Sequence, residues 1–170
     1  MQIVWDPGMT VEEYAGKGRG LEYPVLGQCP MCAARVRLVG DGWYRRNGLP
    51  SLGKGLVLFI GRALCPVCRR TASFLPSFLV AAFQYTARFI VATLEKKAQS
   101  YRQLLQFHRA RFLKHLNTVQ AFFRNKRVMD VFSKDESERP MRLLRMIEES
   151  RVEEFSMLYH KRFRRSFMAK

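Results

Sequence analysis

Residues 29–46, CPMCAARVRLVGDGWYRR, and residues 59–70, FIGRALCPVCRR, contain all four cysteines of the chain. The cysteines form two matching C-P-x-C pairs, which are Cys29 with Cys32 and Cys65 with Cys68. Two cysteines separated by two residues can both reach one tetrahedral ion, and a second pair completes a four-thiolate shell. The pattern therefore predicts one structural Zn²⁺ as the cofactor.

The two pairs are separated by 32 residues, a gap longer than the roughly 15–20 of the commonest four-cysteine pattern. Such a gap favours a ribbon in which each pair lies on a tight knuckle and a longer hairpin lies between them. Two alternatives remain, redox-active thiols and unrelated buried cysteines. Redox chemistry needs a strand–helix–strand context that this glycine-rich region lacks. A closed thiolate shell has no open coordination position, so we expect a metal that stabilises the fold without catalysing a reaction.

The chain is strongly basic, with 30 lysines and arginines against 14 acidic residues and a formal charge of +16. A charge of this size favours a polyanionic partner, most often nucleic acid and less often an anionic membrane. The most apolar window, FLPSFLVAAFQYTARFIVATL, contains Gln84 and Arg88. Because an arginine at a bilayer centre costs roughly 2.5–3.5 kcal/mol, we expect a buried helix and no membrane partner.

The first 28 residues lack a basic start followed by an apolar run, so no secretory signal is predicted. We expect a cytoplasmic, nucleoid-associated protein. In that compartment four cysteines are more often metal ligands than disulfides.

Glycine and proline divide the chain. All eleven glycines lie at or before Gly61, and six of the seven prolines lie at or before Pro76. Because these residues interrupt helices, the pattern predicts an α+β protein with short antiparallel strands first and helices afterwards. The predicted units are an irregular N-terminal arm (1–28), a zinc ribbon (29–75) and a helical domain of about three long helices (76–170).

Within the first two units we expect QIVW as an edge strand, ARVRLVG and WYRR as the legs of a hairpin turning near GDG, and KGLVLFIGRAL as a strand. The first long helix would bury a face at three- and four-residue spacing, formed by Leu79, Phe83, Ala87, Ile90 and Leu94. A second would start at Tyr101 behind a Ser100/Gln103 capping box and reach Arg124, about 36 Å away. A third would start at Pro140 and bury Leu143, Leu144, Ile147, Phe155, Leu158 and Tyr159.

The segment from Cys29 to Arg70 contains eight basic residues and one acid, Asp41. Arginine binds phosphate with two hydrogen bonds and stacks on bases, and aromatic residues interleaved with arginine are typical of nucleic-acid contacts. The candidate contacts here are Arg35, Arg37, Trp43, Tyr44, Arg45, Arg46, Lys54, Arg62, Arg69 and Arg70. A basic face of the second helix adds Arg102, Arg109, Arg111 and Lys114. The alternative is a solvated surface, with Trp43 or Tyr44 covering a small core.

Other motifs are less specific. His108 and His115 lie two helical turns apart with no further ligand at metal spacing, which favours packing or solvent exposure over a metal site. The runs FFRNKR and KRFRR are candidate phosphate contacts of low specificity. GKGRG lacks the spacing of a phosphate-binding loop.

The segments CPMC, GDGWYRR and LFIGRALCPVCRRTASFLP resemble the zinc-ribbon heads of bacterial insertion-element transposases and their small stand-alone relatives. The recurring form is a cysteine pair, a G-x-Y-x-R leg, a strand, and R-x-x-C-x-x-C-x-x-T leading to a proline. Arg62, Cys65, Cys68, Thr71 and Pro76 occupy the corresponding places. The resemblance covers residues 29–80 and implies a DNA-binding unit followed by DNA-binding helices.

Transposase catalysis needs spaced carboxylates that hold two metals on a mixed sheet. After Pro76 the acids cluster in KDESE and EESRVEE, so we predict a protein without its own catalytic centre. The leading hypothesis is a duplex-DNA-binding protein of mobile-element type, acting as an accessory or regulator. The alternatives are an RNA-binding ribbon protein and an adaptor that docks on a larger transposase, nuclease or recombinase. Oligomeric state stays open.

Overall fold

A four-stranded sheet forms the first half of the molecule in the computed structural model, which describes residues 1–124 and 137–168. The strands are β1 (Gln2–Trp5), β2 (Val39–Ser51), β3 (Lys54–Leu64) and β4 (Thr71–Pro76). Their order in the sheet is β1-β4-β3-β2, with β1 parallel to β4 and the other neighbours antiparallel. Together with the helices that follow, the sheet confirms the predicted α+β class.

The hairpin lies later in the chain than the sequence pattern predicts. β2 continues through Asp41 and Gly42, where an irregularity in its pairing with β3 forms a bulge and Gly42 has a φ of 70°. Glycine at positive φ suits a bulge as well as a turn, which is why GDG was misleading. The chain reverses instead between Ser51 and Lys54, where Gly53 has a φ of 73°. The predicted strand KGLVLFIGRAL is confirmed as β3.

Residues 1–28 contain more regular structure than the predicted irregular arm, although residues 18–28 form neither helix nor strand. The suggested edge strand is present as β1, and a short helix α1 (Val11–Lys17) follows it. The Thr10 hydroxyl accepts a hydrogen bond from the Glu13 backbone N–H at 3.2 Å, and the Glu13 carboxylate accepts the Thr10 N–H at 2.7 Å. This is a capping box, and its T-x-x-E signature was readable in the sequence. α1 then buries Tyr14, whose hydroxyl donates to the Phe59 carbonyl at 2.9 Å.

Helices follow the sheet, but they are shorter and more numerous than predicted. They are α2 (Ala87–Leu94), α3 (Arg102–Leu113), α4 (Leu116–Arg124), α5 (Arg139–Glu149) and α6 (Val152–Phe163). The expectation of about three long helices is wrong, because the described part of the chain after Pro76 forms five helices of 8–12 residues. Turns at 114–115 and 150–151 divide the predicted second and third helices, and Arg151 has a φ of 59°.

The helix starts show where the apolar spacing was misleading. α2 begins at Ala87, with the Thr86 hydroxyl accepting the Phe89 N–H at 3.3 Å. Leu79 and Phe83 therefore precede this helix and pack from the loop that leads into it. The Ser100 capping box is also wrong, because Tyr101 is the N-cap of α3 and makes no side-chain capping bond. The predicted role of Pro140 is confirmed, since it lies in the first turn of α5.

The helices enclose a core rich in aromatic rings. Phe123 and Phe155 stack with centroids 5.6 Å apart, and Phe122, Tyr159 and Phe167 pack around them. A second cluster lies between α1, the sheet and the loop after β4, and a third lies beside the cysteines. The predicted core positions Leu143, Leu144, Ile147, Phe155 and Tyr159 are buried and Leu158 is partly buried, as expected. The division into three units stays a prediction.

No helix in the described ranges is both long enough and apolar enough to cross a bilayer. The apolar window around Arg88 instead supplies β4, the following loop and the buried face of α2.

The preference for packing over metal binding at the two histidines is consistent with the structure, since His108 and His115 are both buried. His108 lies against the rings of Phe83, Tyr85 and Phe107. Neither ring nitrogen of His108 has a hydrogen-bond partner among the residues that the structure describes. Burial lowers the pKa of His108 to about 4, because the charged imidazolium would lose its hydration there.

This pKa predicts an acid-sensitive fold. Between about pH 6.5 and 4 the unfolded chain binds a proton at His108 and the folded chain does not, so stability falls as the pH falls. The stabilisation from neutral His108 is complete above pH 6.5, and its loss amounts to at most about 3 kcal/mol. We expect His108→Leu to remove this part of the pH dependence, measured by urea unfolding at pH 7 and pH 4.5.

Metal release and the other histidines contribute equally to both proteins, so the difference between the two pH profiles isolates His108. Parallel profiles for wild type and His108→Leu would contradict the assignment.

Candidate metal centre and nucleic-acid interface

Two backbone knuckles of the same geometry hold the cysteine pairs. In the first, the Cys29 N–H donates to Ala34 O and the Ala33 N–H donates back to Cys29 O, both at 2.9 Å. The second knuckle repeats both bonds from Cys65 at 3.0 Å. The residue after each second cysteine, Ala33 or Arg69, has a φ of 59°. The left-handed residue turns the chain back, so both sulfurs of a pair face the same point.

The knuckles bring the four sulfurs together. Cys29 Sγ lies 3.8 Å from Cys68 Sγ, Cys32 Sγ lies 3.8 Å from Cys65 Sγ, and all four lie within 4.8 Å of one another. A tetrahedron with metal–sulfur bonds of about 2.3 Å has edges of about 3.8 Å, whereas a disulfide needs sulfurs about 2.05 Å apart. The four predicted ligands therefore form a cluster that can hold one metal ion, and the distances fit Zn²⁺. Among the described residues this is the one group of three or more potential ligands that meets.

The thiols of this cluster ionise unequally without a metal. Burial opposes ionisation of Cys29, but hydrogen bonds led by the backbone N–H groups of Cys32 and Met31 outweigh it and lower its pKa to about 6. At Cys32 a backbone N–H at Ala34 favours the thiolate, but burial and the neighbouring sulfurs raise the pKa to about 11. Cys29 thus ionises readily, whereas Cys32 beside it resists a second negative charge. A divalent cation removes that repulsion, since thiolates are its ligands.

The sheet fixes where the knuckles lie. The second knuckle is the turn between β3 and β4, while the first lies in the loop before β2. Cys29 and Cys65 are buried against Leu38, Ala63 and Phe74. Cys32 is exposed and Cys68 is half-buried, so one side of the cluster faces solvent. The metal would therefore tie the loop before β2 to the far end of the β3–β4 hairpin.

Asp41, the one acid of this segment, joins the bulge of β2 to the second knuckle. Its carboxylate accepts a hydrogen bond from the Thr71 hydroxyl at 3.1 Å and lies 3.8 Å from the Arg62 guanidinium. Two of the motif residues named above, Arg62 and Thr71, thus meet on a single carboxylate. This contact assigns Arg62 a structural role within the segment.

Comparison with known proteins adds one match. Residues 29–106 match a family described as a domain of unknown function, DUF6431. The matched segment starts at the first cysteine, includes both knuckles, β2, β3, β4 and α2, and ends within α3. No curated protein and no solved structure matches the chain.

Four of the predicted contact residues flank the metal cluster, and we call them the knuckle arginines: Arg35, Arg37, Arg69 and Arg70. All four are exposed, and none forms an ion pair with an acid of the described chain. Arg45 is likewise exposed and unpaired on β2. These side chains are thus available to a partner in solution.

The two aromatic candidates lie on opposite faces of β2. Tyr44 packs against the core beneath the sheet. Trp43 lies on the other face, edge-on to Phe59 with centroids 5.1 Å apart. The Arg19 guanidinium covers the Trp43 ring at 3.8 Å from its centroid. Arg19 lies in GKGRG and was missed, because nothing in that run indicates which ring it would reach.

Arg46 and Lys54 are engaged within the protein. The Arg46 guanidinium is partly buried and donates to the carbonyls of Val80 and Phe83 at 2.7 and 2.6 Å. Arg46 therefore joins β2 to the loop before α2, and this internal engagement does not favour the predicted phosphate contact, which stays a prediction. Lys54 forms an ion pair with Glu12 at 2.8 Å, so its charge is already compensated.

The basic helix face is present on α3 and its C-cap. Arg102, Arg109 and Lys114 are exposed, while Arg111 is partly buried and lies over the Phe107 ring at 5.3 Å. α3 packs on α2, so these residues belong to the helical layer and not to the knuckles.

We expect Cys68→Ser to abolish tight metal binding and to destabilise the protein by more than about 4 kcal/mol, because one ligand of the shell is lost. The matched control is Val67→Ser, which introduces the same side chain at an exposed knuckle position. Elemental analysis of protein purified without added metal or chelator should find one ion per chain in wild type and control. A Cys68→Ser protein that keeps its ion would contradict the assignment.

We expect Arg46→Met to lower the free energy of unfolding by about 2–3 kcal/mol, because two carbonyls lose a charged donor. The neighbouring Arg45→Met removes the same charge from an exposed position and should cost less than about 0.5 kcal/mol. Urea unfolding of the two variants tests this difference. Equal losses would show that the Arg46 hydrogen bonds contribute nothing specific.

Proposed function

We propose that this protein is a zinc-ribbon nucleic-acid-binding protein that contacts duplex DNA through the knuckle arginines. The observation that carries the proposal is their position: four exposed arginines, which pair with no acid among the described residues, flank a four-cysteine cluster. Structural zinc sites are closed shells of four protein ligands, and four thiolates are one of the donor sets that they use. The ion stabilises the two knuckles and so fixes the spacing of the four guanidinium groups.

Charge and geometry favour phosphate as the group that these arginines bind. A zinc tetrathiolate carries about −2, yet the basic residues of the segment from Cys29 to Arg70 outnumber its single acid by seven. Asp41 is occupied by Thr71 and Arg62, so it leaves the knuckle arginines uncompensated. Guanidinium groups bind phosphate with paired hydrogen bonds. In this proposal, the exposed basic residues of α3 supply further contacts to the phosphate backbone of the DNA.

The proposed protein has no catalytic centre of its own. A thiolate shell with all four positions filled by protein leaves no site for a reactive water. We further propose that it acts as an accessory or regulator of a mobile element, on the basis of the resemblance of residues 29–80. An adjacent integrase-like gene or terminal inverted repeats in the source genome would support that role, and their absence would favour a plain regulator.

We expect duplex affinity to fall steeply with salt. If about six phosphates are contacted, the affinity drops on the order of a thousandfold between roughly 50 and 200 mM, because each contact releases condensed counterions. Fluorescence anisotropy with a labelled duplex measures this slope. Equal affinity at the two salt concentrations would contradict the proposal.

We expect the double variant Arg69→Gln/Arg70→Gln to remove about two phosphate contacts, so that the loss over the same salt range shrinks to roughly a hundredfold. The matched control is Arg88→Gln/Lys97→Gln, which removes two cations that are already paired with Glu153 and Glu148. If both double variants lose the same affinity, bulk charge explains binding and the knuckle arginines have no special role.

Two further outcomes separate the alternatives. Structured RNA that displaces the protein from a duplex of equal length at lower concentration would favour an RNA target. Retained binding to a transposase or nuclease by Arg69→Glu/Arg70→Glu, with nucleic-acid binding lost, would favour the adaptor.

A further inference from the structure

A second basic site lies where the end of α6 meets the sheet. A cleft of about 650 Å³ opens there between β1, the first knuckle, the loop after β4 and the C-terminal end of α6. Its polar lining comes mainly from Gln2, His160, Arg164, Arg165 and Ser166. None of the described residues that line the cleft is acidic. The cleft is as large as typical small-ligand sites, so it can hold a phosphate together with part of the attached nucleoside.

The backbone at the end of α6 carries both arginines to this cleft. Arg164 is the C-cap, with a left-handed φ of 55°, and its N–H donates to His160 O at 2.8 Å. Glycine is the residue that usually occupies this conformation, because a side chain there is strained. Arginine at this position places a positive charge at the end of α6 but has a more strained backbone than glycine would have. Arg165 follows directly, and its guanidinium reaches the Thr118 hydroxyl on α4 at 3.3 Å.

His160 joins this end of α6 to the sheet. Its Nε2 lies 3.3 Å from the Gln2 carbonyl oxygen, so the neutral ring donates its proton there. Burial, together with the nearby Arg164 cation, lowers the pKa of His160. Neutral His160 thus positions α6 on β1. Arg164 and Arg165 are the two basic residues among the described lining of the cleft, and the Arg165 guanidinium also contacts Thr118 on α4.

We propose that this cleft binds a backbone phosphate of the same nucleic acid that the knuckle arginines contact. Pro30 of the first knuckle lines the cleft, so the metal centre and the end of α6 border one site. Two arginines in a cleft whose described lining contains no acid suit the doubly hydrogen-bonded recognition of phosphate. The proposal rests on the function proposed above, and it gives the KRFRR run a role that the ribbon does not supply.

A competing explanation is that Arg164 and Arg165 only complement the partial negative charge at the C-terminus of α6. Arg164→Gly separates the two, because glycine relieves the left-handed backbone while removing the cation. We expect Arg164→Gly to keep its urea midpoint close to wild type and to reduce the salt dependence of duplex binding by about one phosphate contact.

The decisive comparison uses three double variants in one anisotropy series with the full-length protein: Arg164→Gln/Arg165→Gln, Arg69→Gln/Arg70→Gln and Arg88→Gln/Lys97→Gln. We expect the first two each to lose about two phosphate contacts and the third to lose far less. If only Arg69→Gln/Arg70→Gln differs from the third, the cleft proposal is wrong and the ribbon proposal stands. If none differs, both are wrong.

A calorimetric titration with inorganic pyrophosphate distinguishes a free phosphate compound from the nucleic-acid backbone. Pyrophosphate binding that Arg164→Gln/Arg165→Gln abolishes, together with unchanged duplex affinity in that variant, would overturn the assignment to backbone phosphate.

Discussion

The contact on which the segment from Cys29 to Arg70 depends is the close approach of four sulfurs from two separate turns. Cys29 and Cys32 lie in a loop without regular structure, while Cys65 and Cys68 form the turn between two paired strands. The sheet alone holds only the second pair. A metal ion bound by all four sulfurs would connect the first loop to the sheet, since the hydrophobic cluster that joins them is small. Metal binding and folding of this segment are therefore expected to be one process.

Polar contacts also hold this segment together outside the cysteine cluster. Asp41 connects the bulge of β2 to Thr71 and Arg62, and Arg46 connects the other face of β2 to the loop before α2. Arginines along this segment thus divide by environment. Those whose guanidinium groups meet a carboxylate or buried carbonyls stabilise the fold. Those beside the cysteines, where no acid is near, are available to an external anion.

The four-cysteine cluster and the α+β class could both be predicted from the sequence, because cysteine spacing and glycine content are local signals with few interpretations. The strand KGLVLFIGRAL was also predictable, since its apolar run is bounded by turns. Local signals failed where tertiary packing decides the outcome. Leu79 and Phe83 continue the apolar spacing of α2, but they pack against the core from the loop before this helix. Arg45 and Arg46 are neighbours with the same local sequence signals, and only the packing of that loop against Arg46 distinguishes them. The capping box at Thr10 was an available signal that went unused.

The parallel pairing of β1 with β4 has a consequence for dissecting the protein. β4 lies inside the sheet only because the N-terminal strand covers its outer edge, and α6 in turn contacts that strand through His160. The first described part of the chain therefore covers the edge of β4, and the last described part packs on the strand that covers it. A fragment limited to residues 29–106 would expose the unpaired backbone of β4 as a template for strand addition from another molecule. Self-association of such a fragment would then result from the loss of β1 and would not indicate the oligomeric state of the intact chain.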